Sequence, residues 1–300
     1  MREDIQFPSR GSSCHGWLYH PERRDTADGS PAIVMAHGFS AVKEMFLDRF
    51  AESFRAAGFA VLVFDFRFLG ESPGEPRGQI FPTEQHEDYR NAISWIAQRP
   101  EIDAERIGAW GSSYSGGHVL HLAAFDRRIK AAVAQVPALG IWRQTIRTAG
   151  IEGLRALLGL LTLDRMARYP DGAVNRIPVV GPPGSPAVLG TPDAYAWFLK
   201  QADSIAPTWQ NAVTVESVER MIEYDPAAAI ELIAPTPLRM IVAEQDSLIS
   251  IEEVEAAFAR AGEPSDLVRL ACGHFDVYVV EPWFTRASEA ATGWFVEHLG

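Results

Sequence analysis

Four short apolar runs, spaced by helix-like stretches, constrain this 300-residue chain more than anything else in it. They are Pro31–Ala36, Ala60–Asp65, Arg106–Trp110 and Ile129–Val136. A strand with no polar alternation must be covered on both faces, as in a parallel sheet flanked by helices. Between the runs, Glu44–Ala57 repeats Phe46, Phe50 and Phe54 at helical spacing and stops at Gly58. Thr83–Gln98 reads as a helix, with Thr83 as N-cap, acids in the first turns and Pro100 beyond its end. Two more strands, Leu238–Ala243 and Asp266–Leu270, alternate with helices at Ile251–Ala261 and Pro282–Leu299. An antiparallel pair over 4–8 and 13–20, turning at Pro8–Gly11, precedes them, and polar Glu22–Ser30 reads as loop. The expected class is α/β: a mostly parallel, doubly wound sheet.

The rhythm stops near Gly140 and resumes near Pro237. In between lie helical stretches at Ile141–Thr148 and Ile151–Tyr169, a Pro/Gly-rich run over Pro178–Pro192, and helical stretches at Ala194–Gln201 and Val215–Tyr224. The expected organisation is a core from 1–139 and 236–300, with 140–235 inserted as a largely helical lid. Such a lid would sit over the carboxyl ends of the strands, where open α/β sheets place their sites.

Composition narrows the class. A net charge of -12 argues against a basic nucleic-acid surface. Two cysteines, Cys14 and Cys272, cannot build a disulfide framework, and the charged Met1–Asp4 start lacks the apolar run of a signal peptide. These point to a cytoplasmic protein. No stretch reaches the roughly 20 apolar residues of a membrane span. No zinc-ligand spacing and no glycine-rich phosphate cradle follows a strand, so neither a metal nor a cofactor is expected.

The chemistry converges on Gly111-Ser112-Ser113-Tyr114-Ser115-Gly116-Gly117, which joins the Arg106–Trp110 strand to a helix-like stretch. A serine at such a corner adopts a strained backbone to lift its hydroxyl above the sheet edge. The residues two before and two after it then crowd together. Centring on Ser113 puts Gly111 and Ser115 there, both small; centring on Ser112 would force Trp110 against Tyr114. Ser113 is therefore the candidate nucleophile.

A serine hydroxyl needs a general base, and the base needs an acid to hold its tautomer. Asp246 follows the Leu238–Ala243 strand and His274 follows the Asp266–Leu270 strand, so both lie at the sheet edge of Ser113. Glu244 is a rival acid, closer to its strand end. Asp276 is expected to brace the His274 loop. His118 and His121 lie in the helix after the corner, pointing away from its tip, and read as surface or packing residues. An oxyanion needs two fixed N–H donors. Those of Tyr114 and of Phe39, in the loop His37-Gly38-Phe39-Ser40, are the candidates. His37 would hold that loop, or serve as a catalytic histidine itself.

With these residues named, the chain resembles the α/β-hydrolases of the dienelactone-hydrolase-like and carboxylesterase branch. It carries His37-Gly38-Phe39, Asp65-Phe66-Arg67-Phe68-Leu69-Gly70-Glu71-Ser72, the Ser113 corner and Gly273-His274-Phe275-Asp276. It is similar also to fungal polyketide transferases, which move an acyl chain from a carrier protein to an alcohol. The resemblance covers 1–138 and 236–300, and departs at Phe68 and Ser115, where glycine is usual. It implies a serine hydrolase cleaving a carboxylic ester through an acyl-enzyme. Acyl transfer or thioester cleavage is the alternative on the same residues, with peptidase or amidase activity and a catalytically dead binding module further off. The expected ligand is a small ester or acyl compound with an apolar part. His37, Phe68, Trp142, Leu158 and Trp197 are the candidate pocket residues. The stripe Leu154, Leu157, Leu158 and Leu161 could equally pack the lid or make a homodimer contact.

Overall fold

The computed structural model describes residues 1–22 and 29–300. Most of the expected polar loop before Ser30 lies outside the described residues. The strands are β1 Arg2–Ser9, β2 Ser12–Tyr19, β3 Ser30–Ala36, β4 Ala60–Phe64, β5 Ile102–Ser112, β6 Ile129–Gln135, β7 Arg176–Ile177, β8 Val213–Thr214, β9 Leu238–Ala243 and β10 Ser265–Leu270. The helices are α1 Leu47–Ala56, α2 Pro82–Ala97, α3 Tyr114–Phe125, α4 Ile141–Arg168, α5 Pro192–Ser204, α6 Val215–Glu223, α7 Ile251–Phe258, α8 Asp276–Val279 and α9 Trp283–Leu299.

Eight strands form one sheet in the order β1-β2-β4-β3-β5-β6-β9-β10. The β1–β2 and β2–β4 pairs are antiparallel and the others parallel. Every residue of β3 and β4 is buried, as the unbroken apolar run that follows Ser30 in β3 and fills β4 requires. Alternate residues serve the two faces. Ile33, Met35 and Trp110 pack with Phe50 and Phe54 of α1 and Phe295 of α9. Val34, Ala36 and Ala109 pack with Ile93 of α2 and Leu120 of α3. This is the mostly parallel, doubly wound sheet expected. Among the described residues no helix is long and apolar enough to cross a membrane.

Local departures have physical causes. The helix expected from Glu44 begins at Leu47, because Phe46 is left-handed (φ 67°) and Lys43 is drawn into a buried ion cluster. Thr83 does not cap α2; Phe81 is its N-cap residue and Pro82 fills the first turn, where a missing N–H does no harm. The two helices expected either side of Gly150 are present within α4, broken at that glycine (φ 72°, ψ 172°). The short α8, directly after the His274 loop, was not foreseen.

The segment between β6 and β9 carries α4, α5, α6 and the two-stranded β7–β8 ribbon. Thr214 caps α6 by accepting the Ser217 N–H at 3.2 Å. Beyond Gly150, Arg165 and Arg168 of α4 are paired with Glu219 of α6, and Arg168 also reaches Glu216 at 2.9 Å. The outer half of α4 is thereby fastened to α6.

Candidate active site

Ser113 stands between β5 and α3, at the middle of the sheet, with φ 57° and ψ -118°. That is a costly conformation for a residue with a side chain, on the order of 1–3 kcal/mol. Crowding at the corner is severe: a Cβ added at Gly111 would lie 2.2 Å from the Ser115 carbonyl oxygen. Ser115, the departure from glycine, ties the corner together. Its Oγ accepts the Ser112 N–H at 2.9 Å and donates to the Ala36 carbonyl at 2.7 Å.

His274 and Asp246 are joined by a 2.6 Å hydrogen bond from Nδ1 to Oδ2. Both side chains are almost wholly buried. An ionised carboxylate only accepts, so the bond selects the tautomer of a neutral imidazole with its proton on Nδ1 and its lone pair on Nε2. The other Asp246 oxygen, Oδ1, accepts the Leu248 and Ile249 N–H groups at 2.8 Å each, which fixes the carboxylate. Asp276 accepts the Gly273 N–H at 2.8 Å and so braces the turn before His274. Glu244 is exposed, and Asp266 pairs with Arg239 at 2.8 Å.

The loop after β3 closes against the serine. A Cβ at Gly38 would approach the Ser113 Cβ to 3.0 Å. Ala41 N–H donates to the Gly38 carbonyl at 3.2 Å, making a turn with Phe39 and Ser40 at its centre. Among the described residues the Phe39 and Tyr114 N–H groups have no protein acceptor, and their rings meet edge to face at 5.5 Å. The wholly buried His37 donates from Nδ1 to the Gly38 carbonyl at 3.0 Å and accepts the Phe66 N–H at Nε2. Burial pushes its pKa down to about 4, so it stays neutral.

Behind this loop, the carboxylates of Glu44, Asp65 and Glu71 converge to within 4.8 Å of one another. The Lys43 ammonium occupies their centre, 2.7, 2.9 and 2.7 Å from the three carboxylates. Burial alone would lower the lysine pKa; the carboxylates outweigh it and raise it.

Ser113, His274, Phe39 and Tyr114 line one cavity of about 390 Å³, together with His37 and Trp197. Its wall is largely apolar, with Met45, Leu189, Met221, Leu248 and Phe275. Among the described residues no Asp, Glu, Lys or Arg lines it. No hydrogen bond joins Ser113 to His274 among the described residues; such bonds often tighten only with substrate in place.

Three candidate pocket residues are not part of this wall. Phe68 sits at φ 72°, in the left-handed conformation that glycine favours, and its ring is pressed on Gly74. Trp142 is turned outward beneath the Arg143 guanidinium, 4.5 Å from the ring centre. Leu158 lies beyond the break at Gly150 and is 43% exposed. From α4 only residues before the break, Ile141, Gln144, Thr145 and Thr148, reach the cavity. His118 and His121 do pack: His118 is buried against Gln85, His86 and Tyr224. Sequence reading missed Tyr278, which lines the cavity and bonds its hydroxyl to Ser112 Oγ at 2.6 Å. Its place four residues after His274, in a new helical turn, was the available signal.

Sheet order, the corner after β5 and the helices on both faces are those of an α/β-hydrolase. The chain belongs to the X-Pro dipeptidyl-peptidase (S15) family, whose sequence pattern matches residues 13–176. It is 34% identical to the quorum-quenching protein AidA of Acinetobacter baumannii, over 93% of this chain and 89% of that one. It is 33% identical to the thiohydrolase aneE of Aspergillus aculeatus, over 81% and 76% of the two chains. The crystal structure of the α/β-hydrolase GrgF from Penicillium superposes with a TM-score of 0.84 at 26% identity, covering 100% of this chain and 99% of that one. Fold and family are those of hydrolases.

Proposed function

We propose that the protein is a serine hydrolase that cleaves a carboxylic ester with an apolar acyl or alcohol part. One observation carries the reading: a strained serine shares an uncharged, apolar cavity with a histidine already bonded to a buried aspartate. In this mechanism Ser113 Oγ attacks the ester carbonyl as His274 Nε2 takes its proton. The oxyanion rests on the N–H groups of Phe39 and Tyr114. His274 then protonates the leaving alkoxide, and water, activated in turn by His274, releases the acid. Asp246 orients the imidazole and stabilises its charged form. The segment over 140–235 acts as the lid, supplying the walls from α4, α5 and Met221.

Ser113→Ala tests this. Loss of p-nitrophenyl ester turnover, with an unchanged unfolding transition, is expected; retained turnover overturns the mechanism.

A second reading replaces the ester by an acyl-thioester, or water by an alcohol, on the same residues. It is favoured by the thiohydrolase relative and by the solved GrgF, a protein 27% identical here and named a polyketide transferase. Product analysis with ester against thioester, and water against alcohol, separates the two. The uncharged cavity wall weighs against a dipeptidyl-peptidase, which must hold a substrate's N-terminal ammonium.

A further inference from the structure

The turn that presents the Phe39 N–H is held by a side chain from the segment between β6 and β9. Trp209, in the chain between α5 and β8, donates its indole Nε1–H to the Ser40 carbonyl at 2.9 Å, across 169 positions of sequence. Ser40 is the second central residue of the turn closed by the Ala41 N–H on the Gly38 carbonyl. It has φ 53° and is 2% exposed. Turns with a positive φ at this position favour glycine, and serine adopts it only where the surroundings hold it. Among the described residues the serine's own hydroxyl has no hydrogen-bond partner. The bonds at hand to hold the turn are therefore the Ala41 bond, the His37 bond to the Gly38 carbonyl, and the indole.

Trp209 is also in touch with the cavity. Its ring stacks on Phe198 with centroids 5.3 Å apart and planes 28° apart. Phe198 is a cavity wall residue. On its far side Trp209 shares a void of about 10 Å³ with Ser40 and Phe68, so the displaced Phe68 fills the space behind the same turn. The chain of contact runs from cavity wall to Phe198, to Trp209, to Ser40, to Phe39.

We infer that Trp209 is a positioning residue for the oxyanion loop, its indole N–H holding the strained Ser40 turn so that the Phe39 N–H faces the reacting carbonyl. This rests on the serine-hydrolase reading above. Its consequence is that the segment covering the site helps to build the oxyanion hole. A disturbed indole then lowers the rate of the chemical step and leaves substrate capture alone, because the oxyanion exists only in the transition state.

Trp209→Phe keeps the stacking and removes the donor. Active sites are first counted by labelling Ser113 with a fluorophosphonate, so that kcat refers to competent protein only. With a p-nitrophenyl ester, kcat per labelled site is expected to fall about tenfold or more while KM stays within about twofold, since losing an oxyanion donor outright costs about 10²–10³ in kcat. An alkylboronic acid, which mimics the tetrahedral species, should bind more weakly by the factor lost from kcat/KM. A merely structural tryptophan would lower the labelled fraction and leave kcat per site unchanged; that result overturns the inference. The second variant is Ser40→Gly. Glycine takes φ 53° without strain, so the Trp209→Phe penalty should shrink in that background, and an equal penalty in both overturns the inference. If wild-type protein does not label at Ser113, the serine-hydrolase reading falls, and this inference falls with it.

Discussion

Ser115 Oγ donates to the Ala36 carbonyl at 2.7 Å, tying the helix after the serine corner to the strand that leads into the His37–Ser40 loop. The two halves of the proposed oxyanion hole, at Tyr114 and Phe39, are thus joined behind the site by one hydroxyl. A glycine in place of Ser115 would satisfy the crowding against Gly111 but not this bond.

Ser115→Gly should therefore fold and remain active, with a loss of stability of about 2 kcal/mol from two buried hydrogen bonds and added chain entropy. Urea unfolding checks it: the midpoint falls at unchanged slope. An unaltered midpoint would show that the bonds contribute nothing.

Asp246→Asn should leave the fold intact and lower kcat by about 10³–10⁴-fold. An asparagine cannot offer an acceptor to Nδ1–H while its other atom accepts the Leu248 and Ile249 N–H groups and still stabilise the imidazolium. Steady-state kinetics on the p-nitrophenyl ester measures it, and a loss below tenfold would point to another acid.

Stability should fall on acidification below about pH 6.5. The His37 imidazole has an ordinary value of 6.5 and is held at about 4 in the folded protein by burial. Between those values the unfolded chain binds more protons, so stability rises with pH and is lost as pH falls. His118, pushed down to about 3 by its own burial, acts in the same direction. His37→Asn retains a donor for the Gly38 carbonyl and removes the titration. Unfolding free energy measured from pH 4 to 7 should have a shallower slope in this variant; identical slopes would refute the assignment.

Phe68→Leu should leave the ranking of acyl chain lengths as it is, although Phe68 stands where the family resemblance places glycine. Its ring lies behind the Ser40 turn and outside the cavity. Leu189→Trp, on the cavity wall, should shift the ranking toward shorter chains by filling volume. A profile of p-nitrophenyl esters compares the two, and a shift of preference in the Phe68 variant would place that ring in the substrate's path.

Much of the fold is legible in the sequence because β3 and β4 are buried on both faces and so contain no polar interruption. The strand-end positions of the candidates Ser113, Asp246 and His274 are legible for a related reason: each follows a strand of the parallel set, and the topology brings those ends to one edge. The cavity wall is less open to reading. Trp197 and Trp142 look alike in sequence, yet one faces Phe275 at 4.8 Å and the other turns to Arg143. That choice depends on how α4 and α5 are set over the sheet, which local periodicity does not encode. Thr83 does not cap α2 because the Pro82 signal for a first turn is the stronger one. Trp209 carries no local mark at all; its role depends on a carbonyl 169 positions away.

The break in α4 at Gly150 separates two kinds of obligation along one helix. Residues before it line the cavity, and residues after it pair with α6. Among the described residues no atom would contact a Cβ at Gly150, so its backbone angle is what calls for glycine. Substitutions can therefore accumulate in the outer half so long as Leu154 and Leu161 stay buried and its arginines stay paired, while the inner half is retailored for a new substrate. A single glycine makes the helix modular for evolution, and chimeras exchanged at that residue should inherit the selectivity of whichever parent supplied Ile141–Thr148.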